Sequence, residues 1–256
     1  MSETFENRDM TGTIFHSVNL QRATFEDVNL AGASIHNANL AGATIRNANL
    51  AGFTIEDANI QGLTVFGFRV DQLISAELDR RDPERVRLRM ADICDPECVR
   101  SVLNRLAEVR RAFYSLLRST DPKLLSTRPA PDQWSVVENI RHLLFAEDMY
   151  LNRWILQNDE PWCKLGLLSD FLAGNPKFAE VGSQPTDDLE TLLAAWEAIH
   201  ARMMEFVATV TPDELRRDTS QMDFGQGTVG GILQGQAQHD LEHIRQVEAA
   251  LSALGR

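Results

Sequence analysis

The chain has 256 residues, of which 43% are apolar, and this is enough for two modest domains with hydrophobic cores. Its formal net charge of −12 argues against broad attraction to nucleic acid, because phosphate backbones are bound by clustered Lys and Arg. The sequence has neither a membrane-spanning apolar run nor a signal peptide, so we expect a cytoplasmic protein without membrane contact, in which Cys94, Cys98 and Cys163 stay reduced.

The N-terminal part of the chain repeats with a period of five residues. Every fifth residue from Phe5 to Val70 is apolar, and smaller apolar residues recur two positions earlier. This period fits neither a helix nor a long strand, but it fits short extended sides joined by regular corners, with the apolar side chains inside. The segment AGASIHNANLAGATIRNANL resembles the pentapeptide-repeat family, and the resemblance extends over residues 5–70. It implies a right-handed quadrilateral β-helix, with His16 and His36 at its surface.

The repeat segment offers one interaction hypothesis. Some pentapeptide-repeat proteins imitate DNA and bind type II topoisomerases. Such mimicry needs a long, strongly negative rod, whereas this segment is short and only weakly acidic. The sequence therefore favours a structural, dimerising or domain-packing role for the repeats.

The remaining residues predict a junction and a helical bundle. Residues 71–94 lose the period, and their arginines alternate with acidic residues, which indicates a capping helix and linker with an ion-paired surface. Beyond Asp95, apolar residues recur three and four apart. They predict helices from Pro96 to before Asp121, from Ser135 to about Gln157, from about Asp187 to Val210, and from about Val229 to Leu254. The predicted fold class is thus a two-domain β + α protein, with a β-helix at 1–70, the junction at 71–94 and a four-helix bundle at 95–256.

The last predicted helix contains the strongest chemical signal, the segment QHDLEHIRQVE. His239 and His243 are four residues apart, so both imidazoles project from one helical face and can share an ion. His142, at the centre of the second helix, is the best candidate for a third ligand. Taken singly, each of these histidines is also compatible with an ordinary buried or interfacial residue.

The two histidine segments are similar to the DinB-like family of four-helix metalloproteins. That family places one His in its second helix, eight residues after a Trp, and an HxxxH pair in its fourth helix. Trp134 and His142, then His239 and His243, match those places. The junction GFRVDQLISAELDRRDPER also looks like a DinB-like subgroup that begins with pentapeptide repeats. The resemblance implies a divalent ion on the three histidines, zinc first and nickel or iron next, and a possible homodimer.

Several functions remain open at this point. The resemblance implies a metal-dependent transferase or isomerase that uses a small thiol and an electrophilic substrate. The alternatives are a noncatalytic, metal-stabilised interaction module and a metal-dependent hydrolase. No catalytic residue can be named, because the capping box of the second helix explains Glu138 without chemistry. Glu147 and Asp148 are expected at the surface or the rim of a pocket, and Asp240 and Glu242 are expected away from direct ligation.

Overall fold

The computed structural model describes residues 4–36, 38–56, 58–131, 133–158, 162–169, 172, 174–220 and 227–255. The chain divides into two compact units, residues 1–46 and 47–256, each described by itself below. The domain boundaries at residues 70 and 94 remain predictions from the sequence.

Turns recur along the first unit at the positions that its sequence marks. Asn29 Oδ1 accepts a hydrogen bond from the Ala31 amide at 3.0 Å, and the Ala33 amide donates to the Leu30 carbonyl at 3.0 Å. Gly32 lies inside this turn at φ 76°, a conformation that glycine adopts without a Cβ clash. Asp27 lies between this turn and the preceding one and has a φ of 51°, a positive value that aspartate tolerates better than most residues. The five-residue sequence repeat therefore determines the positions of the local turns.

The large apolar series of the repeats is exposed in the described conformation, so its predicted burial inside a closed β-helix stays a prediction from the sequence. Leu30, Ile35 and Leu40 are 56%, 60% and 59% exposed. The described backbone hydrogen bonds donated by residues 4–63 join residues three apart, so they close turns without pairing distant coils. The reason is that corners depend on local Asn, Asp and Gly residues, whereas burial requires long-range strand pairing. His16 and His36 are exposed, as predicted.

The second unit contains the strands of the described residues, β1 (Thr64–Val65) and β2 (Phe68–Arg69), which form an antiparallel hairpin. Phe66 and Gly67 connect them with φ values of 50° and 81°, the positive values that a tight two-residue hairpin turn requires. The hairpin leads directly into α1 (Val70–Arg81).

The junction consists of α1 and the short α2 (Pro83–Arg87), and ion pairs hold it against the last helix. Asp82 accepts hydrogen bonds from Arg245 at 2.6 and 3.2 Å, and Arg85 donates to Glu242 at 3.1 Å. The arginines of this segment are thus paired with acidic residues, as their alternation with Asp and Glu predicts.

Four long helices make up most of the second unit beyond the junction. They are α3 (Pro96–Arg118), α5 (Val136–Glu147), α6 (Leu189–Thr209) and α8 (Val229–Ala253), and a π-helix at Asp148–Ile155 extends α5. Between them lie α4 (Pro122–Leu125), a 3₁₀ turn (Pro176–Phe178) and α7 (Pro212–Arg216). α3 and α5 each pack against both α6 and α8, and Leu106, Leu143, Trp196 and Leu233 are in their common core. The four helices begin and end within a few residues of the predicted bounds when the π-helix is counted with α5, which itself ends at Glu147, ten residues before the predicted end.

Side-chain caps explain why these helices begin where they do. The N-cap residues Asp95, Ser135, Asp188 and Thr228 each accept hydrogen bonds from the first-turn amides of their helix. Ser135 and Glu138 complete the predicted capping box. In the described part of the chain, no helix combines the length and the apolar character that crossing a bilayer requires.

Gly230 allows the start of α8 to approach the backbone of Ile93. A Cβ at Gly230 would overlap the Ile93 carbonyl oxygen, whereas a Cβ at Gly235 would meet nothing within 4 Å. We expect Gly230→Ala to lower the free energy of unfolding by about 1–3 kcal/mol through this overlap. The control Gly235→Ala should raise it by up to about 1 kcal/mol, because alanine favours the helix. Denaturant unfolding measures both changes, and equal effects would contradict the close approach.

Candidate metal centre

Three histidines meet between α5 and α8. One ring nitrogen each of His142, His239 and His243 lies within 4.8 Å of the other two. The ring centroids are 4.5 Å apart for His239 and His243, 4.9 Å for His142 and His243, and 5.6 Å for His142 and His239. The HxxxH spacing aligns two rings on α8, and the packing of α5 against α8 adds the third. The structure therefore brings together all three residues predicted as ligands.

Burial keeps the three imidazoles neutral. It lowers the pKa of His142 to about 4 and, with the neighbouring His142, the pKa of His243 to about 3. Burial, followed by the charges of His243 and His142, also holds the pKa of His239 well below its usual range. A neutral imidazole offers a lone pair, so protons do not compete for these nitrogens near pH 7.

The arrangement fits a divalent cation. The Nδ1 atoms of His142 and His239 are buried and have no hydrogen-bond partner among the described atoms. A buried polar atom left in that state costs about 1–3 kcal/mol. A cation shared by the three rings would bind their lone pairs and stabilise the cluster, and a set of nitrogen donors suits zinc, nickel or iron.

Aromatic side chains surround the histidines. The Trp134 ring lies 4.7 Å from the His142 ring and is stacked within 15° of the His243 ring at 6.3 Å. Tyr150 meets His239 edge-on at 5.8 Å. These aromatic rings restrict the orientations of the imidazoles. They also give the histidine cluster an apolar environment, in which electrostatic interactions are stronger than in water.

Sequence reasoning missed one polar neighbour of the cluster, Asn139. Its Oδ1 lies 3.0 Å from Nδ1 of His243, and both groups are buried. Asn139 precedes His142 by three residues on α5, so the two side chains share a face of the helix. That spacing is the signal that could have identified it.

A buried polar network, here called the Arg110 network, joins all four long helices. Arg110 on α3 donates to Asp240 on α8 and to Glu147 on α5, and Trp196 Nε1 also donates to Glu147. All four residues are at most 2% exposed. Burial raises the pKa values of Glu147 and Asp240 above their usual range, against the opposing charge of Arg110. A proton held by this acid pair leaves one guanidinium facing one negative charge, so the network is close to neutral.

The structure corrects the expected position of two acidic residues and places Asp240, as expected, outside the histidine ligand group. Glu147 and Asp148, predicted at the surface or a pocket rim, are 0% and 2% exposed, and Asp240 is also buried. The cause is that α5 packs against both α6 and α8. A side chain that points more than 100° away from His142 around the helix axis therefore still lies inside the protein. Glu242 is exposed, and its carboxylate binds Arg85. Sequence periodicity alone does not reveal a helix that is buried all round.

The other candidates lie outside the cluster. Glu138 belongs to the capping box and also binds Arg128; these hydrogen bonds overcome the effect of burial and lower its pKa. Among the residues that the structure describes, no carboxylate or thiolate joins the three histidines in one ligand group. Cys94, Cys98 and Cys163 are free thiols, as expected.

The buried Asp148 predicts a pH dependence of stability. Burial raises its pKa to about 7, whereas hydrogen bonding from Asn152 and the charge of Arg202 oppose the shift. Between about pH 4 and pH 7 the folded state holds a proton that the unfolded state has lost, so stability falls as pH rises through this window. Asp148→Asn should remove that fall. The free energy of unfolding of the variant, relative to that of the parent protein, should therefore be about 2–3 kcal/mol higher at pH 8 than at pH 5.

Urea unfolding at the two pH values, with chelator present throughout, measures this gain. The control is Asp213→Asn, because the Asp213 side chain is 99% exposed and should show no such difference. A parallel pH response of Asp148→Asn and the parent protein would exclude this role of Asp148.

Comparisons with known proteins give two family matches. The family model of the DinB superfamily matches residues 105–247, which contain all three histidines and more than half of the chain. The model of pentapeptide repeats matches residues 13–52 and 25–62, with 8 copies. No curated protein and no solved structure matches the chain.

Proposed function

Because the chain belongs to the DinB superfamily, we propose that it is a metal-dependent enzyme that joins a small thiol to an electrophilic substrate. His142, His239 and His243 would hold the ion, with zinc as the first choice and nickel or iron next. The observation that carries the proposal is the donor set: three neutral nitrogens within 4.8 Å, without a carboxylate or thiolate from the described residues. Three protein ligands are typical of a catalytic site, whereas structural zinc sites usually have four.

The proposed chemistry needs little from ionisable side chains. A divalent ion bound there would supply Lewis acidity, which lowers the pKa of a small thiol enough for it to react near neutral pH. In the transfer, the thiol proton passes to solvent, the sulfur forms a bond to the electrophilic carbon, and the leaving group departs with the electron pair of the broken bond. The protein would hold the imidazoles neutral, and Trp134 and Tyr150 would limit the access of water.

Turnover of a thiol with an electrophile tests this proposal. The metal-loaded protein is expected to join cysteine to chlorodinitrobenzene, and His239→Ala or chelation should reduce the rate by at least about 100-fold. His16→Ala is the matched control, because His16 is an exposed histidine of the repeat segment. If the metal-free protein turned over the substrates as fast as the metal-loaded protein, this would contradict the proposed metal-dependent activity.

A noncatalytic, metal-stabilised interaction module is the second candidate. It is favoured by the position of the histidines, since an ion there would join α5 to α8. Under this function, metal removal lowers the melting temperature but no thiol is consumed. Hydrolysis of an activated ester by the metal-loaded protein, without thiol, would instead identify a hydrolase.

We also propose that the repeat segment closes into a right-handed quadrilateral β-helix that serves as a structural or dimerising surface. The pentapeptide-repeat match over residues 13–62 and the regular corners support it. Closure would bury the apolar series that the described conformation leaves exposed. Slow amide hydrogen exchange along this segment is expected for stacked coils, and fast exchange throughout would exclude them.

A further inference from the structure

The side-chain amide of Asn139 has a defined orientation. Its Nδ2 lies 3.0 Å from the carbonyl oxygen of Ser135 and 3.4 Å from that of Trp134. Carbonyl oxygens accept hydrogen bonds and cannot donate them, so the NH₂ group must face these two atoms. The amide oxygen Oδ1 then faces His243.

This orientation determines the tautomer of His243. Oδ1 of Asn139 lies 3.0 Å from Nδ1 of His243 and can only accept, so Nδ1 must carry the hydrogen. A neutral imidazole has a single N–H, and its other nitrogen, Nε2, therefore has the free lone pair. The Nδ1 atoms of His142 and His239 have no such partner among the described atoms. The hydrogen bond to Asn139 thus sets the tautomer of His243 in advance.

The start of α5 holds Asn139 in place. Ser135 Oγ accepts from the Glu138 amide at 3.3 Å, and the Glu138 carboxylate accepts from the Ser135 amide at 2.9 Å. This capping box fixes the Ser135 carbonyl to which Asn139 donates. Asn139 is only 4% exposed, so water does not compete for its hydrogen bonds. A continuous series of contacts thus runs from the helix cap to the imidazole ring.

We propose that Asn139 is a positioning residue that locks His243 in the Nδ1–H tautomer and reserves Nε2 for the metal ion. This inference rests on the proposed function, because it assigns Asn139 a role toward the ion that the three histidines would bind. Partners that orient a histidine ligand typically change metal affinity by about 10–100-fold when removed.

Two substitutions of Asn139 distinguish the effect of its hydrogen bond on zinc affinity from the effect of its side-chain shape. Asn139→Leu keeps a similar volume but removes the acceptor, and it should weaken zinc affinity by about 10–100-fold. Asn139→Asp retains an acceptor for Nδ1–H, so its affinity should stay within about 10-fold of the parent protein. Zinc competition with a chromophoric chelator measures both affinities. Asn104→Leu, at an exposed position of α3, controls for the loss of an Asn elsewhere in the bundle.

The ring nitrogens report the tautomer without any metal. In the metal-free protein, nitrogen NMR should show His243 protonated at Nδ1 in the parent and in Asn139→Asp, and a mixture of tautomers in Asn139→Leu. Unchanged tautomer and affinity in Asn139→Leu would overturn the inference, and so would an equal loss of affinity in both variants. If the parent protein binds none of zinc, nickel and iron, the proposed function and the role toward the ion both fail, while the nitrogen shifts still decide the tautomer.

Discussion

Replacing Arg110 with methionine is expected to lower the free energy of unfolding by about 3–5 kcal/mol, because it leaves the buried acid pair Glu147 and Asp240 without its cation. Arg110 donates to both Glu147 and Asp240, and its guanidinium also lies 4.8 Å from the centre of the Trp196 ring. Methionine fills much of the same space, so the loss reflects charge and hydrogen bonding more than volume. Denaturant unfolding monitored by helical circular dichroism measures the change.

The neighbouring arginine provides the control. Arg111 is the next residue of α3 and is exposed, so Arg111→Met should change stability by less than about 0.5 kcal/mol. Adding Glu147→Gln to Arg110→Met removes one of the two unpaired acids and should restore part of the lost stability. Arg110→Met and Arg111→Met of equal stability would show that the Arg110 network contributes nothing to folding.

Removing the metal ion is expected to lower the melting temperature of the helical bundle by roughly 10 °C. An ion that binds only the folded state stabilises it by about 4 kcal/mol when its free concentration is 1,000 times the dissociation constant. The reason is structural: His142 lies on α5, whereas His239 and His243 lie on α8, so the ion would link two helices that are distant in sequence.

Chelator titration followed by thermal unfolding measures this effect. His239→Ala should melt at the same temperature with and without zinc, because two histidines bind the ion far more weakly than three. His16→Ala should retain the full zinc-dependent shift, since His16 is an exposed residue of the repeat segment. A parent protein with a melting temperature indifferent to chelator would contradict stabilisation by metal.

The helices and their starts could be predicted from the sequence because local interactions determine them. The capping box of Ser135 and Glu138, and the Asp95–Pro96 start of α3, depend on residues within one turn. The HxxxH pair is likewise local, and it could be recognised by its spacing. His142 could be named as a candidate from its central place in the second helix, but its match to this pair needed the support of the family resemblance, since no local rule joins residues almost a hundred positions apart.

Features that depend on several helices could not be predicted in this way. The burial of Glu147 and Asp240 follows from the meeting of α3, α5 and α8 at Arg110. The π-helix after Glu147 changes the angular spacing that a regular helix predicts for Asp148 and the residues beyond it. Asn139 could be placed on the face of His142, but its bond to His243 requires the packing of α5 against α8.

The central claim is that the three histidines bind one cation. Elemental analysis of the purified native protein, beside a variant with His142, His239 and His243 all changed to alanine, tests it most directly. The proposal predicts about one divalent ion per native chain and essentially none in the triple variant. Equal metal content in the two proteins, or a folded native protein that takes up no zinc, nickel or iron, would contradict it.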